Sequence, residues 1–130
     1  MADSPDDLNP DDMEVIYSIL LIDVIYLIAF SEQYPTTEQI QVIQHIRDNE
    51  PSLQKSKLIN EIIADSLEEK LSNDFTRTAN RILLNMSRMV DDKAACDRIF
   101  YYAKQVAMSG NKITPNVQNL LDRISDALFL

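Results

Sequence analysis

The sequence contains one long apolar stretch, MEVIYSILLIDVIYLIAF at residues 13–30, which constrains the fold more than any other feature. A helix that is apolar on nearly every side either lies buried at the centre of a domain or crosses a membrane. Asp23 divides the stretch, and a carboxylate in mid-span costs about 2.5–3.5 kcal/mol on insertion scales. No Lys or Arg precedes the stretch, which is atypical of a signal peptide. We therefore expect a buried helix, neither a membrane span nor a signal peptide.

The length and composition favour one all-α domain. A chain of 130 residues can bury a core without disulfides or a structural metal. It has one glycine, five prolines and no run in which apolar and polar residues alternate, as half-buried strands require. Its single cysteine, Cys96, excludes an intramolecular disulfide and is typical of a reducing compartment. We therefore expect a cytoplasmic protein.

Few residues are available for catalysis or for a cofactor. His45 is the only histidine, so a Cys/His zinc site is excluded and a nucleophile–histidine site would depend on this one side chain. Asp23 and Glu32 are the one carboxylate pair to consider for acid–base catalysis, and nothing in the sequence orients them. We expect a protein that is not an enzyme and binds no cofactor.

The negative charge is concentrated at the start of the chain. Residues 1–14 carry six carboxylates and no cation, and so account for most of the net charge of −9. We expect residues 1–8 to form a disordered acidic leader, with an interaction arm as the alternative, and residues 9–130 to form a single helical domain. Nucleic acid and an anionic membrane surface are unfavourable partners for this charge balance.

The helix signals predict a single compact bundle of about six helices around the central hydrophobic helix. Asn9-Pro10 would start the first helix as its N-cap and first helical residue. Thr36 and Gln39 have the spacing of a capping box for the second helix, which would end near Asp48. Thr114-Pro115 repeats the first signal and would open the last helix.

The three middle helices are predicted from apolar residues at helical spacing. The third carries an i, i+3, i+4 stripe made of Leu58, Ile59, Ile62, Ile63, Leu67 and Leu71. Asp74 would cap the fourth helix, over about residues 75–90, and the fifth would cover about residues 95–106. Whether Asp91-Asp92 separates the fourth and fifth helices or lies within one long bent helix stays open.

Two segments of the chain are similar to each other. Ile28-Ala29-Phe30-Ser31 matches Val106-Ala107-Met108-Ser109, and each is followed by a short turn, a threonine (Thr36 or Thr114) and an amphipathic helix. This pattern indicates a helix–turn–helix unit used twice, whose apolar faces can pack on each other. Chance similarity between two helical hairpins is the alternative.

This arrangement resembles the TerB-like (tellurite-resistance) family of helical bundles. Each half of that family carries a hydrophobic helix ending in Ala-Asp-Gly, then an Ile and a Glu, and its acidic residues are associated with divalent metal. The matching segments here are Ser31-Glu32-Gln33 with Glu38, and Ser109-Gly110-Asn111 with Ile113 and Asn116. The resemblance implies an all-helical fold and makes Glu32 and Glu38 the candidate metal ligands. The second copy lacks carboxylates, whereas a hard cation such as Ca²⁺ takes six to eight oxygens, so we expect no bound metal.

Asp23 and three arginines stand out as candidate functional residues. A carboxylate in an apolar helix needs a partner or a route to solvent, so Asp23 would pair with an Arg of a neighbouring helix or line a polar seam. Arg77, Arg81 and Arg88 fall on one side of the fourth helix, with Lys70 nearby. They would bind an acidic partner, anchor Asp23, or form a solvated face.

Tyr101 is the candidate aromatic contact for a partner. Three consecutive helical positions, residues 100–102, span about 200°, so at least one aromatic side chain there points away from the core. An outward tyrosine is a plausible binding hot spot.

These observations lead to one hypothesis and two alternatives. The hypothesis is a non-enzymatic cytoplasmic module that binds another protein through Arg77, Arg81, Arg88 and Tyr101, or through an acidic surface. One alternative is a stress-response domain that responds to divalent metal through Glu32 and Glu38. The other is an acidic inhibitor or immunity-type protein that neutralises a basic partner. A homodimer stays open as well, and an exposed apolar strip on residues 15–30 would indicate one.

Overall fold

The computed structural model describes residues 10–32, 34–110 and 112–130, so the expected leader and the N-cap at Asn9 lie outside the described residues. These residues form an all-α bundle with no strand among them. The helices are α1 (Pro10–Ala29), α2 (Thr37–Asn49), α3 (Pro51–Lys55), α4 (Lys57–Asn73), α5 (Phe75–Asn85), α6 (Lys93–Ser109) and α7 (Pro115–Ala127), with a 3₁₀ turn at Met86–Met89. The predicted all-α bundle is confirmed.

Helix α1 lies at the centre, as its composition predicts. Most of its side chains from residue 20 onward are fully buried, and α2 to α7 all contact it. Burying one large aliphatic side chain contributes about 1.5–3 kcal/mol, so α1 supplies much of the free energy of folding. Within residues 15–30 only Val15 is exposed, so α1 presents no apolar strip to a second copy. None of the helices in the described part of the chain has the length and apolar character needed to cross a membrane.

The helix starts follow the predicted capping signals. The Thr36 hydroxyl accepts a hydrogen bond from the Gln39 backbone N–H, and the Gln39 side chain accepts one from the Thr36 N–H, each at 3.0 Å. Asp74 caps α5 through the Arg77 N–H at 3.3 Å. Thr114 likewise caps α7, with Pro115 at its first position. These signals were readable because a capping side chain bonds within three residues of itself.

The structure differs from the expected six helices at two places. A five-residue helix, α3, follows α2 because Glu50 adopts an extended backbone and Pro51 can begin a new helix without a backbone N–H. The predicted fourth helix ends at Asn85 and continues only as the 3₁₀ turn. Asp92 then accepts a hydrogen bond from the Ala95 N–H at 3.1 Å and caps α6, so the fourth and fifth predicted helices are separate.

The two similar segments make the same local hydrogen bond. The Ser31 hydroxyl donates to the Ile28 carbonyl and the Ser109 hydroxyl donates to the Val106 carbonyl, each at 2.7 Å. The two units also contact each other, since the Gln39 amide donates to the Val106 carbonyl at 3.5 Å.

Helix α4 is rotated relative to the expected apolar stripe. Its buried residues are Asn60, Ala64, Leu67 and Leu71, while Leu58, Ile59 and Ile62 are exposed. The spacing of the apolar residues was therefore a correct guide only for the second half of this helix. Leu67 and Leu71 face α1, whereas the first turns lie where α1 does not cover them.

Two isoleucines of matched type test this arrangement. Ile82 of α5 is 0% exposed and Ile62 of α4 is 70% exposed. We expect Ile82→Ala to lower the free energy of unfolding by about 2–5 kcal/mol, because it removes buried atoms and leaves a cavity. Ile62→Ala should change it by less than about 0.5 kcal/mol. Urea unfolding followed by circular dichroism measures both, and equal losses would contradict the placement of α4.

Candidate functional site

Helices α2 and α4 line two neighbouring cavities, which share Gln44. The first, called here the apolar cavity, has a volume of about 490 Å³. It is lined by Tyr26 and Phe30 of α1, Tyr34 and Pro35 of the following turn, Ile40, Ile43 and Gln44 of α2, and Glu68, Glu69 and Ser72 of α4. Together the two cavities form what we call the α2–α4 groove.

The apolar cavity combines aromatic and aliphatic side chains with carboxylates. The rings of Tyr26 and Phe30 stack at a centroid distance of 6.3 Å. Ile40 is 55% exposed although it is a large aliphatic residue, because the buried side of α2 carries Gln39, Ile43 and Ile46. Glu68 and Glu69 are the charged residues among the described lining.

Tyr26 links this cavity to its electrostatic surroundings. Its hydroxyl accepts a hydrogen bond from Arg47 Nη1 at 2.8 Å. Burial raises the pKa of Tyr26 above its usual value, Arg47 opposes that rise, and the carboxylates of Glu68 and Asp65 add to it. The α4 side of the groove therefore presents negative charge close to the apolar lining.

The second cavity, called here the polar cavity, has a volume of about 190 Å³. Its lining consists of Gln44, Arg47, Asp48, Leu53, Gln54, Lys57, Asn60 and Glu61. The Gln54 amide donates to the Arg47 carbonyl at 2.6 Å, and the Gln44 amide donates to Asp48 Oδ1 at 2.9 Å. Asn60 is buried at the start of α4 and donates to the Leu53 carbonyl at 3.1 Å.

A buried carboxylate at Glu50 lies between α2 and α3. The hydroxyl of Tyr17 donates to Glu50 Oε1 at 3.2 Å, and that of Tyr102 donates to Oε2 at 2.8 Å. Arg98 Nη1 lies 3.6 Å from Oε1 and its guanidinium lies 6.0 Å from the centre of the Tyr17 ring. These contacts join α1 and α6 to the α2–α3 connection. We assign Glu50 a structural role, because its oxygens already have partners.

The Glu50 contacts also shift the tyrosines. Burial first, and then the Glu50 carboxylate, raise the pKa of Tyr102 to about 12 and also raise that of Tyr17. Sequence reasoning missed Glu50, and the only available signal was a glutamate placed at a helix break before a proline.

Asp23 does not form the direct ion pair that its sequence context suggested. It is 9% exposed, and within the described residues no cation lies within ion-pair distance of its carboxylate. Burial raises the pKa of Asp23 to about 6, and the charges of Arg81 and Lys70 partly oppose the rise. Arg81 and Lys70 are exposed, so they act on Asp23 through the field and keep their own hydration.

The three candidate arginines do not form one continuous stripe. Arg77 is exposed and its Nε lies 3.5 Å from Asp74 at the start of α5. Arg81 is one turn further along α5, whereas Arg88 lies in the 3₁₀ turn, where the helical spacing no longer applies. All three lie outside the α2–α4 groove. Their role in binding a partner stays a prediction.

Tyr101 is exposed, as one residue of the aromatic run had to be. Its ring meets that of Tyr102 edge to face at a centroid distance of 5.5 Å. It lines a further cavity of about 470 Å³ between α2 and α6, together with Glu38 and His45. A role for Tyr101 in binding a partner also stays a prediction.

The candidate metal ligands lie in different surroundings. Glu32 accepts a hydrogen bond from the Thr114 hydroxyl, which joins the two similar segments. Glu38 is exposed in the first turn of α2. No group of three or more His, Cys, Asp or Glu side chains arranged to hold a metal occurs among the residues that the structure describes.

No protein-family model, curated protein or solved structure matches the chain. The TerB-like resemblance therefore stays a prediction from the residues alone, and the function has to be argued from the geometry of the groove.

Removing the Glu50 carboxylate should destabilise the bundle strongly. Glu50→Ala leaves the Tyr17 and Tyr102 hydroxyls without their acceptor, and the loss of one partner from a buried polar cluster costs about 3–5 kcal/mol. Tyr102→Phe removes one hydrogen bond and should cost about 1–2 kcal/mol. Urea unfolding at pH 7 measures both. Glu69→Ala, at an exposed position of α4, is the control, and a Glu50→Ala loss no larger than that of the control would refute the role assigned to Glu50.

Asp23 should make stability depend on pH. An unfolded Asp has a pKa near 3.9, and that of folded Asp23 is raised to about 6. The folded state thus holds the proton more tightly, so this contribution to stability is complete below about pH 4 and is lost as the pH rises through about 6. We expect Asp23→Asn, relative to wild type, to gain on the order of 1–3 kcal/mol between pH 4 and pH 7.5.

The measurement is urea unfolding of both proteins at the two pH values. Asp126→Asn, at an exposed position, serves as the control. A difference between Asp23→Asn and wild type that does not change with pH would show that Asp23 is not buried as described.

Proposed function

We propose that the chain is a non-enzymatic protein-interaction module whose α2–α4 groove binds a basic amphipathic helix of a partner protein. The observation that carries this proposal is the apolar cavity, where exposed Tyr34 and Ile40 adjoin the carboxylates of Glu68 and Glu69. A cytoplasmic location is part of the proposal, since Cys96 is a buried free thiol.

The size and lining of the cavity suit side-chain anchors. Its volume of about 490 Å³ lies within the range of ordinary ligand pockets, about 300–1,000 Å³. Two helices lie beside it, and such grooves typically receive an amphipathic helix with apolar residues at i, i+3 or i+4, and i+7. The stacked rings of Tyr26 and Phe30 offer the flat apolar area on which such anchors pack.

The charge of the groove selects the kind of helix. Glu68 and Glu69 are the ionisable side chains of the described apolar lining apart from its tyrosines, and Asp65 is close enough to act on Tyr26. A partner with Lys or Arg beside its apolar anchors would be attracted, and one with Asp or Glu would be repelled. This proposal unites the interaction-module hypothesis with the alternative of an acidic protein that binds a basic partner.

Two observations weigh against the other classes. Burial and the nearby carboxylates of Asp92 and Asp97 raise the pKa of the Cys96 thiol, which is the opposite of what activates a nucleophile. The Glu32 carboxylate is engaged by Thr114, so binding a metal there would require it to exchange partners.

The test is a selection of helical peptides from a random displayed library. We expect the enriched peptides to carry apolar anchors on one face and a net positive charge, and to lose at least tenfold in affinity, about 1.4 kcal/mol, for Ile40→Asp. Leu84→Asp, at an exposed leucine of α5, is the matched control and should bind like wild type. Affinity should also fall as salt rises, because the attraction between exposed charges is screened.

Two outcomes would overturn the proposal. Enriched peptides that bind Ile40→Asp as tightly as wild type would place the interaction elsewhere. Peptides that instead lose affinity for a variant with Arg77, Arg81 and Arg88 changed to Glu would return the interface to the surface that the sequence suggested.

A further inference from the structure

The polar cavity contains an acceptor without a partner. Asn60 is 2% exposed, and its Oδ1 is the one buried side-chain atom in the described part of the chain that makes no hydrogen bond. The amide orientation follows from the Leu53 carbonyl, which needs a donor and receives one from Asn60 Nδ2 at 3.1 Å. A buried polar atom left unpaired costs about 1–3 kcal/mol, so Oδ1 calls for a donor from outside the bundle.

The other side chains around Asn60 limit what that donor is. Asp48 and Glu61 bring two carboxylates to the cavity, and both are exposed on its rim. Arg47 already donates to the Tyr26 hydroxyl. Lys57 is exposed at the first position of α4, so its charge is solvated. The cavity thus combines an amide oxygen with carboxylates, all of which accept hydrogen bonds.

We propose that the polar cavity receives an arginine side chain of the partner helix, and this inference rests on the proposed function of the groove. A guanidinium has five N–H donors in one plane and no acceptor, so it can donate to Asn60 Oδ1 and to Asp48 or Glu61 together. The ammonium of lysine presents a compact point charge and matches this planar set of acceptors less well.

The spacing along α2 sets the register of the partner. Ile40, Gln44 and Asp48 follow one another at intervals of four residues, so they lie on one side of α2. Ile40 and Asp48 are separated by about 12 Å along the helix axis. A partner helix that lies along the groove would therefore carry its arginine seven or eight residues from the apolar anchor that packs near Ile40.

The carboxylates are exposed and each contributes little affinity, whereas the buried amide oxygen discriminates between side chains. A site that leaves a buried acceptor unpaired rejects an analogue lacking the donor. We therefore assign Asn60 to specificity and the apolar cavity to affinity.

The experiment uses N-acetyl-arginine methylamide as the probe, titrated into the ¹⁵N-labelled full chain. The side-chain amide signals of Asn60 report binding at the cavity. We expect a saturable shift with a Kd of about 1–10 mM, as suits a single side chain. The norleucine derivative, which has no donor on its side chain, should give no saturable shift, and the citrulline derivative, which is neutral, should bind at least threefold more weakly.

Variants at exposed positions keep the test independent of folding. Asp48→Asn combined with Glu61→Gln should weaken arginine binding at least fivefold, and Lys57→Ala should strengthen it. Glu69→Gln lies on the same helix but lines the other cavity, so it should leave the titration unchanged. The opposite order, with the probe strengthened by loss of the carboxylates, would overturn the inference.

Failure of this inference is distinguishable from failure of the proposed function. If selected peptides need Ile40 but the arginine probe gives no saturable shift at Asn60 up to about 50 mM, the cavity holds water only and the arginine assignment is wrong. If the probe binds but no selected peptide depends on Ile40, the groove proposal fails and the partner-helix part of this inference fails with it.

Discussion

Burial of α1 on nearly every side is the constraint on which the rest of the structure depends. Because this helix exposes almost nothing, each of the other helices supplies a face to it, and its polar groups must find partners inside the bundle. Tyr26 does so through Arg47, and Tyr17 does so through Glu50. Asp23 has no direct partner among the described residues, and the bundle tolerates it at the cost of a raised pKa. The polar features of the fold are thus consequences of one apolar helix.

The parts of the fold that the sequence predicts are those governed by local interactions. Thr36, Asp74 and Thr114 each bond to a backbone N–H three residues ahead, so their types and spacing suffice to place helix starts. Glu50 shows the opposite case, because its two tyrosine partners lie 33 and 52 residues away. Nothing local records such a pairing. The same holds for the short helix α3, whose length is below what periodicity can reveal.

The α2–α4 groove was not predictable from the sequence, for a related reason. Ile40 and Glu68 each resemble ordinary surface residues, and only the packing of two separate helices on α1 brings them to one cavity. The spacing on α4 even pointed elsewhere, because Leu58 and Ile62 look like core positions and are exposed. The helix is oriented by contacts of its second half with α1, and that orientation turns Asn60 inward. A candidate site therefore arises from a compromise that no single helix encodes.

The buried carboxylate and the candidate site are connected through α3. The backbone carbonyl of Glu50 accepts hydrogen bonds from the N–H groups of Leu53 and Gln54, at 3.0 and 3.1 Å, while its side chain is held by tyrosines of α1 and α6. The Leu53 carbonyl in turn fixes the amide of Asn60. Two consecutive hydrogen-bonded steps thus separate the buried cluster from the unpaired acceptor of the polar cavity. Because binding favours an acceptor that is held in place before the ligand arrives, Glu50 contributes to recognition by positioning α3, although it does not line the groove.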